Sequence, residues 1–257
     1  MVLYKLLIVE DEHLIRKWLR YAIDYDSLGI IVIGEAKDGQ EGAQKIKELK
    51  PDIVLTDINM PIMSAFEMFE ASKDHNYKKI ILSGYADFSN AREAIHHGAV
   101  EFLTKPLDKD ALFSCLGKII SQLREREQLN TQAITQTYID LPALTDTMPD
   151  SVEMVVTWIH KHYKEKITIA QMAHDIGYSE SYLYNIVKKY LQTTINDYIN
   201  QYRISLAIQL LMDQPDKLVY QLGEEVGYSD YRYFDRVFKK YVGMTVNQFK
   251  KRHTVEK

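Results

Sequence analysis

Roughly the first 125 residues alternate between two hydrophobic patterns, and that alternation limits the fold more than any other feature of the chain. Short β-rich apolar runs fall at 4–9, 30–35, 53–56, 79–82 and 100–103. Amphipathic stretches lie between them at 13–24, 40–49, 65–73 and 88–97, and a last one starts at Asp108. A strand that is apolar along its whole length must be covered on both faces, and helices between consecutive strands supply the cover. Five such units predict an α/β fold with a doubly wound, five-stranded parallel sheet.

The pattern fades after residue 126. Residues 127–150 are rich in Thr and Gln and carry Pro142 and Pro149. They read as a linker, partly helical where the stretch from Asp108 runs on. From 151 to 257 the chain reads as all helix. It also contains a repeat: Gln171, Gly177, Tyr178 and Ser179 recur 50 residues later, with Leu222 in the place of Met172. Lys188, Lys189, Tyr190, Thr194 and Asn196 recur 51 residues later, after a one-residue insertion. Two copies of one supersecondary unit are predicted. A chain of 257 residues has room for both domains.

Composition narrows the function. No apolar stretch approaches the ~18 residues of a membrane span, and Cys115 is alone, which excludes a disulfide framework. These features point to the cytosol. Net charge is −4 but unevenly spread. From Ser151 onward there are 15 Lys/Arg and 12 Asp/Glu, so that part carries +3 and the remainder −7. A positive C-terminal half is a weak sign of an anionic partner.

Ligands of a doubly wound sheet sit at the carboxyl ends of its strands. Glu10 and Asp11 follow the first strand, Asp57 the third, Ser83 the fourth and Lys105 the fifth. All five are expected on one rim. Three carboxylates together repel, and a divalent cation relieves the repulsion. Mg²⁺ suits oxygen ligands that leave room for water and a phosphate. A carboxylate is also a competent nucleophile toward phosphorus. A phosphatase of the haloacid-dehalogenase type would need a second Asp two residues after its nucleophile. Asn59 stands there and cannot supply the proton.

The segments LLIVEDE, TDINMP, ILSG and FLTKP resemble the signature of the response-regulator receiver family, over about 125 residues. The resemblance implies a flavodoxin-like receiver that is not itself an enzyme. Asp57 would be the phosphoacceptor and Mg²⁺ the cofactor. The ion would be held by Glu10, Asp11, Asp57 and the backbone carbonyl of Asn59. Ser83 and Lys105 would touch the phosphoryl oxygens, and a cis peptide would precede Pro106. Ser83 and Phe102 would relay the signal to the face formed by the helix from about Asp87, the last strand and the last helix. Such receivers pair through that face, so a homodimer on phosphorylation is implied, with a sensor histidine kinase as donor.

In the repeat, Gly177 and Gly227 are the expected turn residues of two helix-turn-helix units. Helices are predicted at 168–176, 180–191, 218–226 and 230–242, with Thr168, Thr194 and Thr245 as N-caps. The connecting stretch INDYINQYRISLAIQLLMD, as a helix, spans about 27 Å. That roughly suits two recognition helices one DNA turn apart. IAQMAHDIGYSESYL, RISLAIQLL and GYSDYRYFDRVFKKYVGMTVNQF resemble the AraC family DNA-binding domain. Val187 and Gln192 depart from it in the first unit, Gly223 and Asp235 in the second. The resemblance puts Ser181, Tyr184, Asn185, Tyr231, Arg232, Asp235 and Arg236 toward base edges. Ser179, Lys188, Lys189, Ser229, Lys239 and Lys240 would contact phosphates. It implies promoter DNA as partner, RNA polymerase as a further one, and activation rather than repression. Regulators of this build often control nutrient or sugar uptake.

Overall fold

The computed structural model describes residues 3–84, 92–94 and 96–254. The chain divides into two compact units, Met1–Arg126 and Glu127–Lys257.

In the first unit, β1 (Tyr4–Val9), β2 (Ile30–Ala36), β3 (Ile53–Asp57), β4 (Lys78–Ser83) and β5 (Glu101–Thr104) form one sheet. Its order is β2-β1-β3-β4-β5 and its pairings are all parallel. This is the doubly wound arrangement the alternation predicts. The switch in strand order lies between β1 and β3, where a crevice opens at the carboxyl ends.

Alternate residues of each strand feed two cores, because successive side chains point to opposite faces. Leu6 and Ile8 of β1 join one core with helices α1 (His13–Tyr21), α2 (Tyr25–Leu28) and α5 (Lys109–Tyr138). Leu7 and Val9 join the other with α3 (Gly39–Leu49) and α4 (Ala65–Ala71). Cys115 is buried in the first of these cores, and burial pushes its thiol up to about 12. The helix expected over 13–24 ends at Tyr21, and α2 follows as a separate turn. The Asp24 side chain accepts from Ser27 N and caps it. Of the helix expected at 88–97, residues 88–91 and 95 lie outside the described residues.

The regular elements described in the second unit are all helices. It contains α6 (Asp150–His162), α7 (Ile169–Ile176), α8 (Glu180–Leu191), α9 (Ile195–Asp213), α10 (Val219–Glu225), α11 (Tyr231–Val242) and α12 (Val246–Thr254). Each copy of the repeat has its own core, and α9 serves both. Ile195, Tyr198 and Ile199 pack with α6, α7 and α8, whereas Ile204, Ala207, Ile208 and Leu211 pack with α10, α11 and α12.

Residues 127–150, expected as a partly helical linker, group with the second unit. Helix α5 continues to Tyr138, and Ile134, Tyr138 and Ile139 pack into the core of the second copy. Tyr138 also meets the Phe249 ring at 5.5 Å. The Thr- and Gln-rich composition of this segment hid Ile134 and Tyr138, one helical turn apart on α5, and Ile139 just beyond its end.

Candidate functional site

The carboxyl rim of the sheet gathers the acids. Glu10 follows β1 and is fully buried, and Asp57 is the last residue of β3. Oxygens of Glu10, Asp11 and Asp57 all lie within 4.8 Å of one another. Lys105, just past β5, donates from Nζ to Asp57 Oδ2 at 2.8 Å and to Glu10 Oε2 at 2.9 Å and Oε1 at 3.2 Å. The other Asp57 oxygen, Oδ1, accepts from Ile58 N at 2.7 Å. The Lys105–Pro106 peptide is cis, as the resemblance implies.

One lysine cannot neutralise three carboxylates. Burial, reinforced by the Asp57 charge, raises Glu10 to about 7 against the pull of Lys105. Burial opposes the charge on Lys105, but the hydrogen bonds it donates to Asp57 and Glu10 outweigh that and raise its pKa. The site therefore combines a fixed cation with a surplus of hard oxygen ligands. A donor set of this kind fits a small divalent cation such as Mg²⁺.

Ser83 ends β4 and is buried, and its carbonyl accepts from Lys105 N at 2.7 Å. Phe102 lies on β5 opposite Ile81 and packs half-buried against the α3/α4 core. Asn59 is exposed in the loop after β3.

One contributor escaped the sequence reading. Arg16 of α1 donates from Nη1 to the carbonyls of Glu10, at 2.5 Å, and Asp11, at 3.2 Å. It is also 3.7 Å from Glu35 Oε2. It fixes the backbone that presents both acids. A cation one helical turn after an acidic pair was the available signal.

In the second unit Gly177 and Gly227 hold left-handed turns, at φ +82 and +92. Thr168, Thr194 and Thr245 each accept from the backbone three residues on and cap α7, α9 and α12. Ser179 caps α8 in the same way. At α11 the cap is Asp230, accepting from Arg232 N at 2.8 Å, rather than Ser229.

On α8, Ser181, Tyr184, Asn185, Lys188 and Lys189 are exposed, while Leu183, Ile186 and Val187 are buried. On α11, Tyr231, Arg232, Arg236, Lys239 and Lys240 are exposed over a core of Phe234, Val237 and Phe238. Ser229 is exposed just before α11.

Asp235, expected toward a base edge, has a partner within the protein. It is half-buried and its Oδ1 accepts from Val246 N at 3.1 Å. It caps the start of α12, which an acid favours at a helix N-terminus. Lys240 also has a protein partner. Its Nζ donates to Asp197 Oδ1 at 3.1 Å, and Tyr241 donates to the same oxygen. Gln192, placed where the family carries Gly, keeps the turn at φ +56, and its amide donates to the Lys189 carbonyl at 2.8 Å. Gly223 lies against Phe234, whose ring carbon would sit 3.1 Å from an added Cβ.

An uncharacterised response regulatory protein of Staphylococcus epidermidis is 33% identical over 97% of this chain and 99% of its own length. The chain belongs to the response regulators. The transcriptional regulatory protein HptR of Staphylococcus aureus is 32% identical over 96% of this chain and 98% of its own length. The model of the response regulator receiver domain matches residues 6–116, and that of a helix-turn-helix domain matches 172–252. Among solved structures, the receiver domain of AraT, a response regulator from Geobacillus stearothermophilus, aligns at 30% identity with a TM-score of 0.47. The alignment covers 49% of this chain and 99% of that one. This response regulator thus joins an N-terminal receiver to a C-terminal AraC-type helix-turn-helix domain. These are the domains of a transcriptional regulator and not of an enzyme family. Among the described residues no helix is long and apolar enough to cross a membrane.

Proposed function

We propose that this response regulator is switched by phosphorylation of Asp57 and then binds promoter DNA as a dimer to activate transcription. The observation that carries the reading is the Asp57 carboxylate, within 4.8 Å of two further acids and 2.8 Å from the Lys105 ammonium.

An Asp57 oxygen attacks the phosphorus of a phosphohistidine on the sensor kinase. The new P–O bond forms as the P–N bond breaks, and its electron pair returns to the imidazole. Lys105 balances the charge that grows on the phosphoryl oxygens. Glu10, Asp11, Asp57 and the Asn59 carbonyl are the residues that would hold Mg²⁺. When bound, the ion supplies charge neutralisation and a template for the in-line displacement.

Ser83 and Phe102 lie on adjacent strands beside this site. A hydroxyl drawn toward the new phosphate leaves space that the Phe102 ring can enter, which is a two-state element biased by new hydrogen bonds. The β5 and α5 surface would then pair with a second copy. The remainder of the expected pairing face is the helix near 88–97, of which 88–91 and 95 lie outside the described residues. On DNA, α8 and α11 would enter successive major grooves. The exposed residues at 181, 184, 185, 231, 232 and 236 would face bases, and Lys188, Lys189 and Lys239 phosphates. RNA polymerase is the expected further partner of an activator.

Incubation of the chain and of its Asp57→Ala variant with a small-molecule phosphodonor and Mg²⁺, read by intact mass, tests the assignment. The wild type should gain the mass of one phosphoryl group and the variant none. Equal labelling of both would sink it.

A further inference from the structure

A cleft of about 950 Å³ opens between the two helix-turn-helix copies of the second unit. One wall is the loop after α6, with Lys164 and Lys166, another is α9, with Asn196, Asn200 and Arg203, and α11 adds Arg236. Glu224 and Asp230 also line it, so four cations stand against two acids. Of those acids, Asp230 is engaged as the cap of α11. Among the described residues Lys164 and Lys166 make no ion pair, and both are exposed.

The floor of the cleft is held in place by Arg203. Its Nε donates to the Tyr163 carbonyl at 2.9 Å and its Nη2 to the Glu165 carbonyl at 2.8 Å. Its guanidinium stacks on Tyr228, 5.1 Å from the ring centre, and Tyr228 donates to Asn200 Oδ1 at 2.8 Å. The loop of the first copy and the turn of the second are thereby pinned to the same helix. The cleft is preorganised rather than opened by a ligand.

We propose that this cleft is a third DNA contact, seating the sugar-phosphate backbone that borders the minor groove between the two major-groove sites. The proposal rests on the reading of α8 and α11 as recognition helices. When two major grooves one turn apart face a protein, the groove facing it halfway between them is the minor one. The strands flanking it are anionic and only about 6 Å apart. The cleft lies between the two copies and includes Arg236, a residue of the reading face of α11. Its cations are spread over opposite walls, as two strands require. A single small anion would leave most of such a volume to water. Lys164 and Lys166 would meet phosphates, and the Asn196 and Asn200 amides would donate to phosphate or sugar oxygens.

The test is equilibrium binding of the full chain to an operator duplex of about three helical turns, selected by the chain from random sequence, across a salt series, with hydroxyl-radical footprinting. The variants are the doubles Lys164→Gln/Lys166→Gln, in the cleft, and Lys188→Gln/Lys189→Gln, on α8. All four positions are exposed, so folding should be retained. The cleft double should make the slope of log affinity against log salt shallower by about two, at 0.9 per phosphate contact. It should also lose protection of the central minor groove while keeping its sequence preference. If the α8 double weakens binding and the cleft double changes neither slope nor footprint, the cleft proposal is overturned and DNA reading stands. If the cleft double loses only binding of inorganic phosphate, measured calorimetrically, the cleft is a small-anion site and the proposal is again overturned. If the wild type binds no duplex at any salt concentration, both readings fall together.

Discussion

Lys105 is hydrogen-bonded to Glu10 and Asp57 at once, so replacing it leaves two buried or half-buried carboxylates facing each other. Its ammonium also stands where negative charge grows during transfer. The Lys105→Gln variant should therefore stay folded yet take up phosphate from a small donor roughly 10²-fold more slowly, the usual cost of losing one preorganised donor. A time course by intact mass measures this. Glu10 allows a second residue-scale prediction. Its carboxyl is raised by burial to about 7, so the folded state holds a proton that the unfolded chain releases near the ordinary value of 4.5. A folded state that binds more protons loses stability as pH rises, here between about 4.5 and about 7. In the absence of divalent ions the thermal midpoint of the receiver should decline across that window. Mg²⁺ should reverse the decline, and Glu10→Gln should flatten it. A midpoint that rises from pH 5 to 7 without Mg²⁺ would contradict the assignment.

Helix-turn-helix units stand or fall on their turns, and the two glycines make unequal demands. At Gly177 nothing lies within 4 Å of an added Cβ, so Gly177→Ala pays only for the left-handed backbone, about 1 kcal/mol. A Cβ on Gly227 would overlap the Tyr163 carbonyl oxygen and reach within 3.0 Å of the Arg203 guanidinium. Gly227→Ala should therefore destabilise the second unit clearly more, and the difference in urea midpoints between the two variants checks this. Helix α5 carries another prediction. Ile139, just beyond its end, is only 4% exposed and packs with Ile204 and Phe249. Ile139→Ala should cost about 2–4 kcal/mol in the unfolding of the second unit and leave phosphorylation of Asp57 unchanged. Both elements show what a sequence can and cannot convey. The caps at Thr168, Thr194 and Thr245 and the rim positions of Glu10, Asp57 and Lys105 depend on neighbours close in the chain or on strand order, and both were legible. The capping role of Asp235, the Asp197–Lys240 pair and the Arg203 anchor join residues 11, 43 and 40 positions apart. Each is created by packing, and no local pattern announces it.

The whole molecule couples two units with separate cores through one covalent element, since α5 begins in the receiver core and ends in the helix-turn-helix core. Charge follows the same division: acids gather at the carboxyl rim of the sheet, and cations line the exposed faces of α8 and α11 and the cleft between the copies. The central claim is that phosphate on Asp57 changes how the helices of the second unit meet DNA. It is tested most directly by measuring the affinity of the full chain for a selected operator before and after phosphorylation, beside Asp57→Ala. Phosphorylation should tighten binding of the wild type, with a shift from monomer to dimer, and leave the variant unchanged. A wild type that is phosphorylated by mass yet binds the operator with unaltered affinity and oligomeric state would contradict the account.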